Sequence, residues 1–132
     1  MSELSDFAEE KFLAITLKGA TAYNVATAYL ALFINDPTDA GTGTECSWTN
    51  YARQAMSFGT ISGGSVSNDV AIDFPAFVAA FEGDAVTITH MGIYDASSGG
   101  NLLWHTPLDL SKTLTAGDIF NMAIDGADVS LA

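Results

Sequence analysis

Apolar and polar positions follow two rhythms along this chain, first helical and then extended. Leu4, Phe7, Ala8, Phe12 and Ile15 recur at near-helical spacing. Ser2 is positioned to cap such a helix, and Glu3, Asp6, Glu9 and Glu10 fall in early turns, where acids complement the helix dipole. Lys18 lies at the far end and Gly19 suits a C-cap, so the pattern predicts one helix over residues 3–17. Beyond it everything reads as strand and turn. Residues 28–34 are apolar on both faces, with Tyr29, Ala31 and Phe33 on one and Leu30, Leu32 and Ile34 on the other. A strand of this kind needs cover on both sides. An opposing sheet can supply one cover, and the helix or a neighbouring subunit the other.

A second strand is predicted over 51–58, with Ala52, Gln54, Met56 and Phe58 on one face, followed by a glycine-rich turn over 59–65. Val70, Ile72 and Phe74 alternate with Ala71 and Asp73 as a half-buried strand that Pro75 ends. Residues 76–82 read either as a short helix or as a strand. Val86, Ile88 and His90 then face one way, and Thr87, Thr89, Met91 and Ile93 the other. The run 97–101 predicts a turn closing a hairpin between 91–94 and 102–104. The last strands fall near 113–115, 119–123 and 129–131. About seven or eight short strands at regular spacing predict a mainly β fold, a single antiparallel β-sandwich of jelly-roll type with one N-terminal α-helix. Residues 1–20 form the helical segment, docked on the domain or on a neighbour, and 21–132 form the sandwich. There is no internal repeat of the kind that builds a fibre shaft.

Composition narrows the function. With 132 residues the chain is one domain, large enough to hold a core without disulfides. Sixteen acids against four bases give a net charge of −12. Lys11, Lys18, Arg53 and Lys112 are too scattered to displace counterions from nucleic acid or to hold an anionic membrane, so both are excluded as partners. The single cysteine, Cys46, allows no internal disulfide. No apolar run is long enough for a spanning helix. The acidic start differs from a secretory signal, which points to synthesis in a cytoplasm, or assembly there into something larger.

Candidate chemistry is sparse. The loop Asp36–Glu45 carries three acids and several hydroxyls, but only its first acid and its sixth-position glycine fit a calcium loop, so a polar surface loop is the simpler reading. His90, His105 and Cys46 lack the neighbours that a triad or an activated thiolate needs, and no pair of carboxylates stands out. Trp48, Tyr51 and Trp104 are the aromatics least clearly committed to a core, but packing remains the default over a sugar platform. The sequence therefore implies no enzyme, no cofactor and no metal. Arg53, the only arginine, is expected to pair with a carboxylate, either in the 36–45 loop or across a subunit interface.

Several stretches in order carry a family resemblance: Leu4–Leu13, Tyr29–Phe33, Asp36–Glu45, Tyr51–Ala55, Ser62–Asn68, Phe74-Pro75, Thr87–Trp104 and Ala116–Asp118. Across them the chain resembles small bacteriophage virion proteins described as tail fibre proteins, some of whose look-alikes decorate and cement capsids. The resemblance implies a structural protein in the virion, held by the major capsid protein or other virion proteins and assembled as a homotrimer. Its leading form is a cement protein on the outer capsid surface, and its alternative a tail fibre or tail-associated adaptor or receptor-binding component. Leu4, Phe7, Phe12, Tyr29, Phe33, Trp48, Tyr51 and Arg53 are the candidate interface residues.

Overall fold

The computed structural model describes residues 3–131. The N-terminal segment is not helical from residue 3. Glu3–Leu4 forms a short strand, β1, and the helix α1 spans Asp6–Leu17. Ser5 is the cap: its Oγ accepts from the Ala8 N–H at 3.2 Å and donates to the Leu102 carbonyl, while its own N–H donates to the Leu103 carbonyl at 2.9 Å. Serine occurs at positions 2 and 5, and pairing of residues 3–4 with the sheet decides between them. The cap expected at Ser2 lies outside the described residues. Gly19 ends the helix at φ +64, as the sequence suggests, and Ala20 donates to the Ala14 carbonyl.

The main sheet has five antiparallel strands in the order β1-β7-β6-β2-β3, where β2 is Ala28–Phe33, β3 Gln54–Met56, β6 Ala85–Tyr94 and β7 Leu102–Thr115. The opposing layer is two short ribbons. Strand β4, Ser65–Ser67, pairs with β9, Asp128–Ser130, and β5, Ile72–Asp73, pairs with β8, Asn121–Met122. Leu30, Leu32, Ile88 and Ile93 of the sheet share one core with Ile72, Met122 and Val129 of the ribbons and with Phe74 and Phe120 beside them. This is the sandwich-like, mainly β fold that the alternation predicts.

Several strand boundaries differ from the expected ones. The strand at 51–58 is only three residues long because Asn50 adopts φ +70 and the Tyr51 N–H closes a turn onto the Trp48 carbonyl. The turn at 59–65 tightens to Gly63-Gly64, both at positive φ, with Ser62 and Ser65 exchanging two 3.0 Å backbone hydrogen bonds. Residues 76–82 are neither helix nor strand.

The hairpin through 97–101 is present, but its second arm runs unbroken to Thr115. Pro107 sits in that arm without breaking it, because β1 covers β7 only at Trp104 and His105 and leaves Pro107 on an edge. Opposite it, a bulge between Ile88 and His90 reverses the alternation of β6. Ile88 and Ile93, expected on opposite faces, therefore enter the same core.

Strand β2 is covered on both sides. Leu30 and Leu32 enter the main core, while Ala31 and Phe33 join Tyr94 and Leu102 in a second cluster. That second face is roofed by the loop after β2 and by Arg53 rather than by the helix or a neighbour. Gly41 lies over Leu102, and the Arg53 guanidinium lies 3.7 Å from the Tyr94 ring centroid. Gly92 lets the roofed side chains close up: a Cβ there would come within 2.8 Å of Leu102 and 3.0 Å of Phe33.

Candidate functional site

Two regions gather four of the eight predicted interface residues. The first is a polar node at the end of the 35–45 loop. Arg53 donates from Nε to Glu45 Oε1 and from Nη2 to Glu45 Oε2, both at 2.9 Å, a two-pronged pair. Its Nη1 donates to the Ala96 and Gly99 carbonyls at 3.0 and 2.7 Å, which ties down the 95–101 turn. Tyr51 donates to Glu45 Oε1 at 2.9 Å and accepts from the Leu32 N–H at 3.0 Å. Burial works against the Arg53 charge, but the hydrogen bonds and charge of Glu45 outweigh it and raise its pKa. Burial also raises the Tyr51 and Tyr94 phenols, the latter against the opposing pull of Arg53. The raised values keep Arg53 charged and the Tyr51 and Tyr94 phenols neutral at neutral pH, and the hydrogen bonds of the node brace the fold.

Trp48 packs edge-on against Tyr51 and Phe77 in the main core, with its indole N–H buried and unpartnered. Next to it Cys46 is buried, and desolvation, assisted by Glu45, pushes its thiol up to about 12. Phe33 is 1% exposed and presents no contact surface in this chain. Tyr29 is half-buried, paired with Tyr94 and Ala55.

The second region is an apolar trough. One part, about 480 Å³, runs between Val25, Met56, Phe58, Ile61, Trp104 and Leu131. A smaller part, about 250 Å³, continues under α1 along Leu4, Phe12, Ile15 and Tyr23, and the two share Val25, Leu103, Trp104 and Leu131. Phe7 packs edge-on against Tyr23 at 5.5 Å, with Lys11 Nζ 5.4 Å from its ring centroid. Phe12 is 49% exposed and Ile61 75%. Of the eight candidates, then, the structure brings Leu4 and Phe12 to the trough and Tyr51 and Arg53 to the node. Sequence reasoning missed Val25, Ile61 and Leu131. The available signal was Ile61 itself, a large apolar residue inside a glycine- and serine-rich turn.

The acids of the 35–45 loop do not converge on a calcium cage. Glu45 turns to Arg53, Asp36 Oδ1 accepts from the Thr38 N–H at 2.8 Å, and Asp39 meets His105. Among the described residues no helix is long and apolar enough to cross a membrane.

The family described as Podophage GP4 fiber I protein gp80 matches residues 3–130, nearly the whole chain. The chain belongs to this fiber I family. It is accordingly a structural protein of a bacteriophage virion, associating with other virion components. No curated protein matches it. In this fiber I family member, both the node and the trough lie inside the matched span.

Proposed function

We propose that this chain is a fibre component of a podophage tail, held by other virion proteins through its apolar trough and performing no reaction. The match to a fiber I protein over residues 3–130 carries this reading. The trough supports it, because exposed large side chains such as Phe12 and Ile61 border a concave apolar surface that a partner chain can cover. The acidic, sparsely charged remainder of the surface keeps free copies apart until they assemble. A homotrimer is the assembly expected from the resemblance, and light scattering on the purified chain measures it directly.

The second reading is a cement protein on the outer capsid. It is favoured by the fold, a compact sandwich-like unit without a shaft repeat. Cementing would act by linkage: a protein that binds only the assembled lattice adds its binding free energy to shell stability, multiplied over many sites. Cryo-electron microscopy of virions, with gold-labelled antibody against this chain, tests both readings. Label confined to the tail supports the fibre reading. Label spread over the shell overturns it in favour of cement.

A further inference from the structure

We infer that Glu3, Asp39 and His105 form a site for a first-row divalent metal ion of the zinc type, clasping the N-terminal segment to the sheet. Three separate pieces of backbone converge to make it. Glu3 lies directly opposite His105 in the β1–β7 register. Asp39 is brought in by its own carbonyl, which accepts the Asp6 N–H at 3.0 Å at the start of α1. The His105 side chain is only 4% exposed, while those of Glu3 and Asp39 are 65% and 52% exposed. The imidazole is therefore fixed, and the two carboxylates are free to adjust around it.

The distances suit an ion. His105 Nε2 lies 2.8 Å from Asp39 Oδ1 and 3.9 Å from Glu3 Oε2, and the three donor atoms all lie within 4.8 Å of one another. Ligand atoms each about 2.1 Å from a tetrahedral zinc stand roughly 3.4 Å apart, midway between those two separations. The other ring nitrogen supplies an independent feature: His105 Nδ1 faces Asp36 Oδ1 at 3.8 Å. A histidine that binds metal through one nitrogen commonly presents the other N–H to a carboxylate, which fixes the tautomer. With the ion on Nε2 in place of the Asp39 hydrogen bond, the ring would take the Nδ1–H tautomer, whose N–H faces Asp36. One imidazole and two carboxylates select a first-row ion over calcium, which takes oxygen ligands alone. Three protein ligands on an exposed rim leave a further position for water, or for a donor from a neighbouring virion chain.

Zinc chloride titrated into the full chain by calorimetry tests the inference, with thermal unfolding followed in zinc and in EDTA. The expected result is saturation at about one ion per chain, with the melting temperature raised by at least about 5 °C at free zinc near a hundred times the dissociation constant. Asp39→Asn and Glu3→Gln lie at exposed positions and keep the fold, as circular dichroism in EDTA checks. Each should weaken zinc at least about tenfold. Absence of saturable binding overturns the inference. So does zinc affinity unchanged in both variants, because the ion would then be held elsewhere on the acidic surface.

Discussion

Arg53→Ala separates a side chain that clasps its own chain from one reserved for a partner. The guanidinium holds both oxygens of Glu45 and the carbonyls of Ala96 and Gly99, and it covers the Tyr94 ring. Its side chain is 9% exposed and that of Glu45 25%. Truncation strands a part-buried carboxylate with the Tyr51 hydroxyl still donating to it, and strips two carbonyls of this donor. Breaking a fully buried pair costs about 3–5 kcal/mol. Water reaches Glu45 in part, so the expected loss is about 2–4 kcal/mol, or about 7–14 °C in melting temperature for a chain of this length. Urea unfolding of Arg53→Ala, Glu45→Ala and the double variant, followed by tryptophan fluorescence, gives the coupling energy directly. The internal clasp predicts a coupling of about 1.5–3 kcal/mol in the isolated chain. A coupling below about 0.5 kcal/mol would refute it and leave Arg53 free for an intermolecular contact.

Asn68 is fully buried, donates to the Val70 and Ala123 carbonyls and accepts the Ala127 N–H, all at 2.9 Å. Asn68→Ala should therefore cost about 3–5 kcal/mol in urea unfolding, and a loss under about 1 kcal/mol would show that water replaces those bonds. Burial pushes the Asp95 carboxyl up, but hydrogen bonds from Tyr23 and Asn101 outweigh it and hold its pKa below the usual value. A carboxyl depressed in the folded chain contributes stability above its unfolded pKa, near 4, and loses that contribution as pH falls through the folded value. Wild type should thus exceed Asp95→Asn in stability at pH 7, with the two curves converging in acid; a constant gap across that range contradicts the assignment. Cys46, with its thiol pushed up to about 12, should react with a disulfide reagent at pH 8 at least about a hundredfold more slowly in the folded chain than in urea. Similar rates in both states would contradict its burial.

Much of the fold was legible because apolar spacing survives in most strands. The hairpin through 97–101 and the two-sided burial of β2 follow directly from alternation and glycine. Alternation failed where geometry departs from it. The irregularity beside His90, where Thr89 alone stands opposite residues 108–111 of β7, breaks the alternation, so Ile88 and Ile93 end on the same side although their spacing is odd. Asn68 was invisible for a different reason. A polar residue in a serine- and glycine-rich stretch carries no periodic signal, and only the folded chain brings Ala123 and Ala127 to it. The Arg53 pairing was half legible: a lone arginine near an acidic loop needs an acid, but Asp36, Asp39 and Glu45 are equivalent until the loop closes.

That closure bears on where a virion contact belongs. The apolar second face of β2 is a reason to expect a neighbouring subunit only if the chain cannot cover that face itself. Ala31 and Phe33 are 0% and 1% exposed beneath Gly41, Leu102 and the Arg53–Tyr94 stack, so that demand is met internally. The helix behaves in the opposite way. Of its apolar stripe only Ala8 is buried, while Phe12, with Leu13 beside it, remains about half exposed. Across the trough, Ile61 projects from a Gly-Gly turn, where a polar residue would satisfy the backbone equally well. Single exposed apolar side chains such as Phe81, Leu110, Ile119 and Ile124 occur elsewhere, but those of α1, Ile61 and Leu131 border one concave trough, and it is there rather than on β2 that the proposed fibre contact has area to bury.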